Sequence, residues 1–205
     1  AEAPVHLVGH SYGAVVALAM ARALGDRVRS LFLFEPVMFG ALAAIDPDAA
    51  TLEPRPWLDP ADPIDAAGLA DCRAFLGRAP WLLTDARGGD AEWMRFFIDY
   101  WNRPGSFERM APPQQAFLTA MGWKVYQEVR SCFGAYQTFE GALPEGIPTT
   151  LAYGRDTTGA SRAMVQGLER THPGLPVVAV AGGHMAPMTH PGGMVRALGE
   201  HLGRV

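Results

Sequence analysis

The 205-residue chain has only two cysteines, Cys72 and Cys132, and they lack the spacing of a metal site. A disulfide scaffold would use more of them. Both are therefore expected to be free thiols in a reducing compartment, and the protein to be cytoplasmic. An excess of charge is missing too. The formal net charge is −4 and no Lys/Arg cluster stands out, which argues against nucleic acid or an anionic membrane surface as a partner. Long apolar runs are absent. The longest covers residues 14–21 and stops at Arg22, short of the roughly 20 apolar residues that span a bilayer. No basic leader precedes an apolar stretch. No ligand cluster or phosphate-binding loop occurs, so neither a metal nor an organic cofactor is expected. Internal repeats and low-complexity tracts are likewise missing.

What is present is the composition of a soluble globular domain, 49% hydrophobic and 19% charged. A short apolar strand, Val5-His6-Leu7-Val8, leads into Gly9. Residues 12–24, rich in Ala, Leu and Met, read as a helix closed by Gly25-Asp26. Residues 28–34 read as a second strand. Its continuous Leu31-Phe32-Leu33-Phe34 is typical of a sheet covered on both faces. Strand, helix and strand in that order imply a right-handed parallel crossover.

The character changes over residues 39–145, which hold all five tryptophans. Residues 46–63 form a Pro- and Asp-rich stretch read as a loop. Met94, Phe97, Ile98 and Trp101 then fall on one helical stripe, and a further helix is expected over 123–139. The α/β pattern returns with strands at 149–153 and 177–181 and helices at 162–171 and 194–202. The expected organisation is a core part at 1–38, a helical insertion at 39–145, and a second core part at 146–205.

Between the first strand and the first helix stands Gly9-His10-Ser11-Tyr12-Gly13, a Gly-x-Ser-x-Gly motif in the context that gives it meaning. A sharp strand-to-helix turn holds Ser11 in a strained conformation with its hydroxyl projecting from the end of the sheet. Gly9 and Gly13 are expected to be needed because side chains there would collide with the neighbouring helix and strand. The Tyr12 backbone N–H, at the helix N-terminus, is a candidate oxyanion donor. A serine hydroxyl needs a base. His184, in Gly182-Gly183-His184 directly after the last apolar strand, is the candidate. Among the other histidines, His6 is expected to point sideways within a strand and His10 to face away from the base position. His172 and His201 are expected on the surface, and His190 could line the site.

Residues 5–21, the ending Ala181-Gly182-Gly183-His184-Met185 and the strand end Tyr153-Gly154-Arg155-Asp156 together resemble the α/β-hydrolase superfamily. The likeness covers nearly the whole chain. It implies an α/β fold, a parallel sheet flanked by helices, with the insertion as a helical cap. It also implies a Ser-His-acid triad in which Ser11 is the nucleophile and His184 the base.

Two residues compete for the acid. Asp156 follows the strand that usually supplies it, and chain order favours it. It comes one residue earlier than the family's Gly-x-x-Asp pattern, whose acid position here holds Thr157. Glu35 ends the second strand, where some superfamily members place a Glu acid. A carboxylate at the end of an apolar strand also needs a partner.

The family's nucleophile usually follows its fifth strand, whereas this chain opens at that strand. The resemblance therefore implies missing N-terminal strands, with the loop that gives a second oxyanion donor, and a chain weakly active and poorly soluble by itself.

The implied activity is hydrolysis of a small hydrophobic ester or related carbonyl compound, a small-molecule substrate. Tyr12 and Trp101 are candidates to line the pocket, although most aromatics of the insertion are expected to form its own core. Asp replaces the serine in epoxide hydrolases and dehalogenases of this family, which disfavours those chemistries. Carbon–carbon bond hydrolysis or cofactor-free perhydrolysis uses the same triad. A catalytically idle binding protein is the alternative of another class.

Overall fold

The computed structural model describes residues 3–46, 51–78 and 80–205. Ala1-Glu2 and positions 47–50 of the Pro- and Asp-rich stretch lie outside the described residues.

Strand β1 (Val5–His10) enters helix α1 (Tyr12–Leu24), and β2 (Val28–Phe34) follows a 3-10 turn. Ala14, Ala17, Leu18 and Ala21 recur at helical spacing and form the fully buried face of α1. Gly25 ends the helix with φ 52°, a conformation that costs glycine little. After β2 come the short helix α2 (Phe39–Leu42), strands β3 (Ala43–Asp46) and β4 (Thr51–Pro54), and helices α3 (Pro63–Arg78), α4 (Ala91–Trp101), α5 (Pro112–Ala120) and α6 (Gly122–Gly134). The chain closes with β5 (Thr149–Gly154), α7 (Gly159–Thr171), β6 (Val177–Val180), α8 (Ala186–Thr189) and α9 (Pro191–Leu202).

The main sheet is parallel throughout, in the order β1-β2-β5-β6. β2 lies between two neighbours and six of its seven residues are buried, which explains its unbroken apolar sequence. β1 is a lateral strand of this sheet and exposes Val5 and Val8. All four strands run the same way, so their C-terminal ends lie along one edge. Ser11, Glu35 and the loops after Gly154 and Val180 gather there.

The sequence reading of residues 46–63 as loop is corrected in part. β3 and β4 pair antiparallel, from Ala43↔Pro54 to Asp46↔Thr51. Such short strands rest on backbone pairing and leave little hydrophobic signature. The helix expected over 123–139 ends at Gly134 and is preceded by α5, joined through Met121. Helices α7 and α9 begin three residues before the expected starts. Thr158 caps α7 by accepting a hydrogen bond from Ser161 N, and Pro191 opens α9.

The main core draws residues from both sides of the chain's middle segment and from the segment itself, including Leu58, Leu69, Cys72, Trp101 and Cys132. α3 packs closely on α7. A Cβ at Gly68 would lie 2.4 Å from the Ala163 Cβ, and Arg170 on α7 bridges Asp62 and Asp65. A second core of Phe75, Leu82, Trp93, Met94, Phe107 and Tyr126 lies wholly within the middle segment. Trp93 and Tyr126 thus serve packing. Trp57 and Trp123 are largely exposed. Cys72 and Cys132 are free and buried, and burial pushes both thiols up to about 12.

Candidate active site

The turn from β1 to α1 holds Ser11 at φ 56° and ψ −125°. Left-handed backbone at a non-glycine residue is strained and must be held by its surroundings. Two hydrogen bonds hold it: Ser11 N donates to Phe34 O at 2.9 Å, and Ala14 N donates to Ser11 O at 3.0 Å. Gly9 is required by close packing, since a Cβ there would sit 2.4 Å from Ala14 Cα. Gly13 is not required in the same way, because its Cβ would meet open space among the described residues. Tyr12 is the first residue of α1. Its N–H is one of the amides that a helix leaves without an internal partner.

His184 Nε2 lies 2.9 Å from Ser11 Oγ, and His184 Nδ1 lies 2.6 Å from Glu35 Oε2. The ionised carboxylate only accepts, which assigns the proton to Nδ1 and leaves Nε2 to accept from the serine hydroxyl. His184 and Glu35 are 3% and 1% exposed, so water competes little for either. Glu35 has every reason to stay fixed. Its Oε1 accepts from Gly154 N at 2.8 Å, and its Oε2 also accepts from Thr157 Oγ1 at 2.7 Å. Its own backbone, at φ 45°, is the second left-handed non-glycine position among the described residues. Glu35 N is tied to Ala152 O across the sheet.

Of the two candidate acids, Glu35 is the one whose carboxylate meets His184. Asp156 is exposed, and its recorded hydrogen bond is from its backbone N to Gly182 O. The turn after β5 spends its side-chain contact to Glu35 on Thr157. The one-residue offset visible in the sequence is the cause: the residue that faces Glu35 carries a hydroxyl, and it supports the carboxylate instead of replacing it.

Two other expectations about histidines are corrected. His10 does not face away. Its Nε2–H donates to His184 O at 2.9 Å, and its ring centroid is 4.9 Å from that of His184. Burial, then the neighbouring His184, lower its pKa to about 4, so at neutral pH it adds no positive charge beside the site. His201 is buried at the other end of the sheet, hydrogen-bonded to Ser30 and Thr150. It stands one turn from the buried Ala197, on the face of α9 that also carries Met194 and Leu198. His6 sits in β1 and meets Ser30 Oγ at 2.8 Å.

Trp101, the last residue of α4, stacks on His184 with ring centroids 3.8 Å apart and an interplanar angle of 27°. The stripe that places it was legible in the sequence; its partner was not. Trp101 and Tyr12 both line an apolar cavity of about 50 Å³ at Ser11, together with Phe39, Phe97, Val125 and Val129. Among the described residues, no cluster of His, Cys, Asp and Glu could hold a metal ion, and no helix is long and apolar enough to cross a membrane.

The model of the alpha/beta hydrolase family matches residues 1–197. The chain belongs to the α/β-hydrolase family. No curated protein is significantly similar to it in sequence. Solved structures of like fold include an enol-lactonase from Burkholderia xenovorans. It is 14% identical with a TM-score of 0.60, over 98% of this chain and 66% of that one. A thermophilic esterase from Thermogutta terrifontis is 21% identical with a TM-score of 0.54, over 98% and 65%. A haloalkane dehalogenase from Agrobacterium tumefaciens is 18% identical with a TM-score of 0.57, over 98% and 67%. At these identities the likeness is one of fold. This α/β hydrolase spans about two thirds of the length of those proteins.

Proposed function

We propose that the protein is a serine hydrolase that cleaves small hydrophobic esters or related carbonyl compounds through an acyl-enzyme. The observation that carries this reading is the continuous hydrogen-bonded chain Ser11–His184–Glu35, set on a strained turn at a helix N-terminus. Ser11 Oγ attacks the carbonyl carbon as His184 Nε2 takes its proton. Glu35 holds the imidazole in the required tautomer and stabilises the imidazolium that forms. The Tyr12 N–H, supported by the α1 dipole, donates to the developing oxyanion. His184 returns the proton to the leaving oxygen. Water, activated by the same histidine, then releases the acid.

In this reading, the segment 39–145 acts as a cap. Support comes from α4 and α6, which supply Phe97, Trp101, Val125 and Val129 to the cavity at Ser11. The lining is mostly apolar, which favours a hydrophobic acyl group. The names of the fold neighbours, an esterase and a lactonase among them, are compatible with acyl chemistry.

The test is intact-mass spectrometry after exposure to a fluorophosphonate. One adduct on the wild type and none on Ser11→Ala is the expected result. Equal labelling of both proteins, or of neither, would sink the reading.

A further inference from the structure

Two cavities meet at the Ser11–His184 pair, and they differ in chemistry. The first, about 50 Å³, is lined by Ser11 but not by His184, and its walls are mostly apolar. The second, about 350 Å³, is lined by His184 but not by Ser11. Trp101 lines both and, stacked on His184, forms the wall between them. The second cavity is about half polar, far more so than the first. Arg103, Asp156 and His190 face it beside Thr157 and Thr158. Thr157 and Thr158 are already used, on Glu35 and on the α7 N-terminus. Arg103 and Asp156 are different: both are exposed, and neither side chain has a hydrogen bond or ion pair among the described residues.

We propose that the second cavity is the leaving-group site, and that it takes a neutral polyhydroxy alcohol. The proposal rests on the acyl-enzyme reading and deepens it. In acylation, the bond from Ser11 Oγ to the carbonyl carbon forms as the bond from that carbon to the alkoxy oxygen breaks. The serine proton passes through His184 Nε2 to the departing oxygen, and the products are acyl-Ser11 and a free alcohol. The acyl group therefore stays on the side lined by the serine, and the alcohol leaves on the side lined by the histidine. The walls match that division: mostly apolar where the acyl chain stays, mixed and richer in polar groups where the alcohol departs. The sign of the alcohol follows from the two unpaired side chains. A carboxylate on the leaving group would satisfy Arg103 and be repelled by Asp156, and an ammonium would meet the reverse. Hydroxyl groups donate to Asp156 and accept from Arg103 together.

The assignment gives Asp156 a role in selecting the alcohol, and Trp101 the role of keeping the two halves of the substrate apart. The small first cavity fits a short acyl chain.

Steady-state hydrolysis of two ester series provides the test. One series holds the butyryl group fixed and compares glycerol with 1-pentanol as the alcohol. The other holds glycerol fixed and compares acetyl with octanoyl as the acyl group. The wild type is expected to favour the glycerol ester and the short acyl chain in kcat/KM. Arg103→Ala and Asp156→Asn, both exposed and therefore compatible with folding, should each lower the glycerol/pentanol ratio about tenfold, the size of a lost charge-assisted hydrogen bond. The acetyl/octanoyl ratio should stay within about twofold. Val129→Ala should shift the acyl ratio and spare the alcohol ratio. A wild type that favours pentanol overturns the proposal, as do variants that move both ratios together or leave the alcohol ratio unmoved. Fluorophosphonate labelling of the same preparations separates this failure from that of the underlying reading. Labelled Ser11 with the wrong selectivity removes only the leaving-group site, whereas absence of a Ser11 adduct removes the acyl-enzyme and the site with it.

Discussion

The sheet carries a serine–histidine pair at each end, and the surroundings of the two differ. At the C-terminal edge, Ser11, His184 and Glu35 form a line with a buried carboxylate behind the imidazole. Toward the opposite end, Ser30 Oγ meets both His6 and His201, and His201 continues to Thr150. The distances are the same to within 0.1 Å: 2.9 Å from Ser11 to His184, 2.8 Å from Ser30 to His201. The serine–histidine distance therefore does not distinguish the two pairs. The difference lies in what surrounds it. Ser30 sits within β2 beside a register shift, at zero exposure, and its side chain meets His6 and His201 with no carboxylate bonded to either ring among the described residues. Ser11 sits on a left-handed turn, partly exposed and beside a cavity. The lower network satisfies buried polar groups; the upper one holds a strained backbone beside a cavity.

Substitutions sharpen this contrast. The largest effect is expected from Ser11→Ala, which should reduce ester turnover on the order of 10⁶-fold, as in serine proteases that lose the nucleophile. Its counterpart, Ser30→Ala, should leave turnover within about threefold. It should cost about 1–3 kcal/mol of unfolding free energy, read by denaturant titration, because His201 loses a buried partner. If Ser30→Ala instead abolished turnover, the comparison between the two ends would collapse.

Next in size is Glu35→Gln, for which a loss of kcat of about 10⁴-fold is expected, because the amide no longer holds the correct tautomer or stabilises the imidazolium. Thr157→Val should act through the same carboxylate but more weakly. It removes one of the hydrogen bonds that hold the Glu35 carboxylate in place, so a loss of about tenfold in kcat/KM is expected. A Thr157→Val enzyme with wild-type activity would show that the threonine only fills space.

The smallest expected effect is on stability against pH, and here the two ends behave alike. Burial is the leading cause that lowers the pKa of both His10, to about 4, and His201. A folded-state value below the unfolded one, about 6.5, means that the unfolded chain takes up protons first as the pH falls. The stability these neutral histidines give is therefore complete above about pH 6.5. It declines as the pH drops, toward about 4 for His10. Thermal unfolding across that range should show a falling Tm, and His10→Asn and His201→Asn should each flatten the slope. Only His10→Asn should also lower activity, since His10 holds the His184 carbonyl.

Much of this was legible in the sequence. The elbow was readable because its constraint is local: Gly9 must be small, a strand must precede and a helix must follow, and all three are written within about twenty residues. The meeting of His184 with Ser11 was readable from its place after the last apolar strand. Other features were not. Asp156 and Glu35 could not be ranked from residue types, since both end strands that bring them near the site. The distance from Glu35 to His184 is a product of sheet order, with β2 lying between β1 and β5. His201 and Ser30 are 171 positions apart, and no periodicity signals such a contact. The stack of Trp101 on His184 joins a helix of the middle segment to a loop after β6, and the sequence marks only the stripe on which the tryptophan lies.

The sequence by itself determined the strained turn and the alternation of strand and helix, because these follow from local backbone sterics and hydrophobic periodicity. The tertiary structure alone decided which carboxylate meets the histidine, which serine–histidine pair reaches a cavity, and which walls that cavity has. Those outcomes depend on strand order and on the packing of distant segments, which no short stretch of residues encodes.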